Sequence, residues 1–216
     1  MLKHISLIFI STAAYALALG WWRSLEMALY VAVKLPIVFI GSTFIVSVFA
    51  WMAGLVLGSA LHYRDVVALV FSAMATASRM LLGLVLVVLF FIFTAAPNTG
   101  CPEDLRFAHA ILLSVHIFVF SVAGVIGHLS LIRELRQRVT RSCRVSLLVA
   151  LWLGMFALVG CQTGWMMRPL VGSPNIVVEF LRADALESNF LESVVDQIIP
   201  HIINKGVLKN ERSNAE

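Results

Sequence analysis

Arg79 is the one formally charged residue in the apolar stretch 66–96. A guanidinium at that depth must face protein or water, because lipid cannot solvate it. Ser72, Thr76 and Ser78 precede it, interleaved with Ala73, Ala75 and Ala77. Small and hydroxylated neighbours leave room for water or for a close second helix. Such a cation lines a pore that favours anions, or it anchors at the head groups a span beginning at Met80, with residues 68–78 lying along the interface. Two imidazoles, His116 and His128, belong to the next apolar stretch. Twelve residues apart, they stand about 120° apart around a helix and share no face. Each either bonds to a neighbouring helix or contributes a proton-sensitive group to a pore. No CxxC, HExxH, phosphate-cradling glycine loop or GxSxG occurs in the chain, so no metal, cofactor or enzymatic reaction is expected.

Composition says what must position these residues. Hydrophobic residues make up 60% of the 216 and charged ones 13%, with a mean hydropathy of +0.94. A soluble domain carries about 25% charged residues. Three cysteines do not make a disulfide scaffold, and the aliphatic content excludes disorder. The expected fold is all-α, a polytopic membrane bundle over residues 1–167 followed by an extramembrane tail, 168–216. Runs of about 20 apolar residues are needed per span, and five are read near 5–22, 35–61, 66–96, 107–132 and 145–165. Residues 24–34 are amphipathic and expected along the interface, with Pro36 opening the second span. The first run has features of a signal peptide, namely Lys3 and Ala16-Leu17-Ala18. Trp21 and Trp22 read better as an interfacial belt, so it is expected to stay as a span. In the tail, Leu186, Phe190, Leu191, Val194, Val195 and Ile198 recur at helical spacing, which predicts an amphipathic helix near 185–199.

Orientation follows from the arginines. The loop 133–144 holds Arg133, Arg136, Arg138, Arg141 and Arg144 against Glu134, and positive loops stay cytoplasmic. Alternation then places Lys3 and the 62–65 turn inside, and the acidic 97–104 turn and the tail outside; Arg23 and Lys34 run against the rule. The expected protein is a multi-pass protein of a bacterial inner membrane, N-terminus in and C-terminus out. The arginine loop suits anionic lipid or a cytosolic regulatory protein. It lacks the interleaved aromatic residues that nucleic acid would need, so nucleic acid contact is not expected.

Gly54 and Gly58 form one GxxxG and Gly160 and Gly164 another. That spacing lets backbones approach closely, within the chain or between copies, and a homo-oligomer is expected. Cys101 and Cys161 share the outer side and Cys143 lies in the cytoplasmic loop; unlinked thiols are the expectation, a Cys101–Cys161 bond the alternative.

The ending Gln162-Thr163-Gly164-Trp165-Met166-Met167-Arg168-Pro169-Leu170-Val171-Gly172-Ser173-Pro174, with Phe180-Leu181-Arg182 and Asn189-Phe190 beyond it, resembles that of uncharacterised bacterial five-span inner-membrane proteins. More distantly, five spans and the Tyr30–Pro36 lead-in resemble the Ypt-interacting membrane protein family. The soluble N-terminal extension usual in such proteins is not expected here, since Met1 lies almost against the first run. Physically the ending reads as an interfacial lock: Gln162 bonds within the bundle, Trp165 sits at head-group depth, Arg168 snorkels and Pro169 turns the chain. Two functions are expected from these features. One is a homo-oligomeric pore or channel, an effector under a cytosolic partner as in phage defence. The alternative is a non-conducting adaptor or scaffold, which the family resemblance implies.

Overall fold

The structure is a computed structural model that describes residues 1–95, 102–139, 144–167, 178–181 and 192. It contains six helices among them: α1 (Leu2–Trp21), α2 (Leu25–Val56), α3 (Tyr63–Gly83), α4 (Val85–Ala95), α5 (Pro102–Arg138) and α6 (Val145–Met166). The described residues include no strand. Five helical segments are long and apolar enough to cross a membrane, α3 and α4 together making one of 32 residues, Tyr63–Thr94. The chain is thus an all-α protein built for multiple membrane passes.

Two boundaries differ from the sequence reading, for local reasons. Pro36 does not open the second span; it lies inside α2. The helix starts eleven residues earlier, at Leu25, preceded by Ser24, whose hydroxyl caps the Met27 amide at 3.1 Å and satisfies an orphan donor. Pro36 costs the Ala32 carbonyl its helical partner, a loss that packed membrane helices tolerate. At the other end, α2 stops at Val56 rather than running to Leu61. Gly58 takes φ +70°, its amide bonding Leu55 O at 3.2 Å and the Ser59 amide bonding Gly54 O at 2.9 Å. This paired closure is a Schellman stop, which wants glycine at the left-handed position. Gly58 therefore ends a helix and contributes no helix-packing face, and a Cβ on Gly54 would meet only Ser59 of that same turn.

The third candidate span consists of α3 and α4, which part at Leu84, whose amide is shared between Met80 O and Leu81 O. α3 runs unbroken through residues 68–78 and past Arg79, so the break falls four residues beyond Met80, where one reading of the sequence begins the span. α3 is the centre of the bundle, packed on α1, α2 and α5. Val67, Phe71 and Ala75 meet Ile8 of α1, while Leu69, Val70 and Ala73 join Val46, Leu131, Leu135 and Trp152 in a core shared by α2, α5 and α6. A second core gathers Tyr15, Leu19, Met27, Val31, Leu35, Val88 and Leu112 where α1 meets α2.

Packing, rather than escape from water, holds such helices together, and one glycine per contact allows the closest approaches. A Cβ on Gly127 of α5 would lie 2.9 Å from Ala77 Cβ and 3.1 Å from Ala73 O. Trp152 of α6 is 1% exposed and donates its indole N–H to Ala50 O of α2 at 3.0 Å. Trp152→Phe is expected to lower stability by about 1 kcal/mol and Trp152→Ala by about 3–5 kcal/mol, measured as unfolding in detergent; equal losses from both would show that the hydrogen bond, and not the ring, holds α6 in place.

Candidate functional site

α3 carries three different faces. The first turns to α1 and α2, with Phe71 against Ile8 and Phe44, and the second, apolar at Ala73 and Ala77, turns to α5. The remaining one bears Ser72, Thr76 and Arg79, at spacings of four and three that align along a helix. Thr76 bonds back to Ser72 O at 3.0 Å and Arg79 Nε to Ala75 O at 3.4 Å. Ser72 donates to Glu134 Oε1 of α5 at 2.9 Å, which ties the lower end of the face to the basic end of that helix. Ser72 and Thr76 are half-buried and Arg79 is exposed. Ala75, one turn before Arg79, is fully buried, so the helix is sealed on its flanks and open on this face. Arg79 has no carboxylate partner among the described residues. It is the seventeenth of the 32 residues of Tyr63–Thr94, halfway along the span. A cation halfway along a candidate span is thereby left exposed among the described residues.

The other two pore candidates are directed elsewhere. His116 Nδ1 lies 2.8 Å from the Tyr15 hydroxyl, with Phe120 against its ring at 4.3 Å. His128 Nδ1 meets Gly124 O at 2.7 Å and its ring sits edge-on to Phe156 of α6. The structure does not bring Arg79, His116 and His128 together. His116 turns to α1 and His128 to α6, as their angular separation requires. A further contact escaped the sequence reading: His109 stacks on Trp22 at 5.6 Å. Its signal was present, since His109 and His116 are seven residues apart, as are Tyr15 and Trp22. Two antiparallel helices with seven-residue spacings meet in two tiers. The backbones of α1 and α5 make no close approach; aromatic rings fill the space between them. Tyr15→Phe is expected to cost about 1 kcal/mol of stability, and a thermal midpoint equal to wild type would make that hydrogen bond irrelevant.

Gly160 and Gly164 have nothing within 4 Å of an added Cβ, and neither has Gly154. Ala150, Gly154, Ala157, Cys161 and Gly164 form a small-residue line along α6 at alternating spacings of four and three, all exposed except the half-buried Gly164. Arg133, Arg136 and Arg138 are exposed at the end of α5, two of them in its last turn, where cations suit the helix dipole. Arg144 is exposed just before α6. Gln162 and Trp165 are half-buried near the end of α6. Arg141, Arg168, Pro169, Cys101, Cys143 and all of the 185–199 helix except Glu192 lie outside the described residues. Among the described residues no cluster of His, Cys, Asp and Glu could hold a metal ion.

The fold and this face define a class, the polytopic helical membrane protein with a charged, outward-turned central helix. No protein-family model matches the chain, and neither does a curated protein or a solved structure.

Proposed function

We propose that the protein is a homo-oligomeric membrane pore whose lumen is lined by the Ser72–Thr76–Arg79 face of α3. The observation that carries this reading is the exposure of Arg79 halfway along a membrane span. An arginine at the bilayer centre costs about 2.5–3.5 kcal/mol on insertion scales and faces protein or water. Among the described residues no other part of the chain covers this one, a place that water held between copies, or a second copy, would fill. The open small-residue line of α6 offers a place for copies to meet closely. The exposed arginines at the end of α5 and before α6 suit a cytosolic regulatory partner, which fits an effector role of the kind used in antiviral defence. They also support a reading with the N-terminus in the cytoplasm, the C-terminus outside and the spans in a bacterial inner membrane, because positive loops favour the cytoplasmic side.

Purified protein in planar bilayers is expected to conduct, and to run in detergent as particles larger than one chain. A detergent-stable monomer that conducts nothing would favour the adaptor reading. A reporter fused after Arg144 is expected to be active in the cytoplasm and one fused after Asn210 outside it; both on one side would overturn the five-span orientation.

A further inference from the structure

Lys34 is fully buried, and its Nζ has no hydrogen-bond partner among the described residues. Three N–H donors of an ammonium are thus unanswered there within an apolar helix, an arrangement that is costly for the charged form unless a counter-group reaches it. What lies over the charge is an aromatic ring: Phe180 sits with its centroid 5.2 Å from Nζ. The same ring stands edge-on to Tyr30, one turn earlier on α2, at 5.5 Å. Val178, two residues before Phe180, packs on the core where α1 meets α2. The segment 178–181 therefore lies as a cover across α2, while Phe180 and Leu181 remain 42% and 46% exposed.

Depth says what could reach the ammonium once that cover lifts. α2 has 32 residues, roughly 48 Å at 1.5 Å per residue, against a hydrocarbon core of about 30 Å. Both ends must project. Lys34, nine residues into the helix, lies roughly 14 Å from its start, close beneath the membrane surface. Trp21, 58% exposed, and Tyr30 mark that same end with the aromatic residues that favour head-group depth. Glu26, an acid of α2 two turns further out, stands beside the Tyr30 hydroxyl. Among the described residues the ammonium forms no ion pair with a carboxylate.

We propose that Lys34 binds the phosphate of an anionic phospholipid in the leaflet next to the α1–α2 turn, and that Phe180 is a displaceable cap occupying the phosphate's place when no lipid is bound. The ring offers the cation only its π face. A phosphate oxygen gives a charge-assisted hydrogen bond, which is stronger, so the exchange is favourable when head groups are abundant. The site is independent of the pore reading, because it lies at the end of α2 and involves no residue of the α3 face.

The test is native mass spectrometry of the purified full-length chain titrated with phosphatidylglycerol, with phosphatidylcholine as the zwitterionic control. The wild type is expected to prefer phosphatidylglycerol, and Lys34→Gln to lose about tenfold in its affinity. Lys34→Arg is expected to keep the preference, which separates loss of charge from loss of fold. Phe180→Ala is expected to bind more tightly than wild type, because the competing cap is gone. A Lys34→Gln protein with wild-type preference, or a Phe180→Ala protein with weaker binding, would overturn the proposal. Displacement of the lipid by millimolar inorganic phosphate would overturn the lipid assignment and make the site one for a soluble anion.

Discussion

Arg79→Glu is expected to turn the reconstituted protein from anion-favouring to cation-favouring, moving the reversal potential in asymmetric salt to the opposite sign. The residue lies halfway along Tyr63–Thr94 and is exposed among the described residues. A ring of such charges at a constriction selects ions of the opposite sign. Reversing the charge leaves the helix packing untouched, because the buried faces of α3 are carried by Val67, Phe71 and Ala75 on one side and Ala73 and Ala77 on the other. Arg79→Lys is expected to keep the anion preference. A well-inserted Arg79→Glu channel with unchanged selectivity would remove Arg79 from the lumen. If the charge served only as an anchor, the same substitution would change insertion and leave no difference in current per inserted molecule.

Gly20→Val is expected to be among the most damaging single changes in the bundle. A Cβ at Gly20 would stand 2.5 Å from Ala28 Cα and 2.7 Å from its amide nitrogen. Those atoms are backbone and cannot rotate away. The hairpin between α1 and α2 would have to open, and Leu19, Met27 and Val31 of the adjoining core would separate. Overpacking ordinarily costs 1–3 kcal/mol, occasionally more; here the loss is expected at about 3 kcal/mol or above, seen as a lowered unfolding midpoint in detergent. Gly160→Ala is the control. Nothing lies within 4 Å of its added Cβ, so the isolated chain should change by less than about 0.5 kcal/mol. A Gly20→Val protein as stable as wild type would contradict the close α1–α2 contact.

The membrane passes were legible because they depend on one local quantity, the length of uninterrupted apolar chain. That quantity fixes how many helices form and roughly where. It does not say which proline a helix runs through: Pro36 looked like a start, but Ser24 supplies the cap. Nor does a GxxxG spacing say what its glycines do. Gly58 belongs to a turn with positive φ, whereas Gly20 and Gly127, in no such motif, carry the tight contacts. Their partners, Ala28 in one case and Ala73 and Ala77 in the other, are small residues on different helices, and pairing across helices leaves no periodic trace. The Tyr15–His116 bond spans 101 positions and was equally out of reach. Lys34 was read as a charge on the wrong side of the membrane; its burial became visible only with Phe180 in place over it. Arg79 was the easiest to single out, because a lone charge in an apolar run stands apart in any reading. Its exposure, the fact on which the pore rests, required the arrangement of α1 and α5 around α3.

The most direct test asks whether that face of α3 meets water inside the membrane. In a background without native cysteines, Thr76→Cys and Arg79→Cys are expected to react with a charged, membrane-impermeant thiol reagent. Leu69→Cys and Phe71→Cys, on the buried faces, should stay unlabelled, and Leu86→Cys, 74% exposed on the apolar α4, should react only with a lipid-soluble maleimide. Labelling that follows this pattern, and that reduces the current, is the expected result. Thr76→Cys and Arg79→Cys behaving like Leu86→Cys, reactive from lipid alone, would contradict the pore.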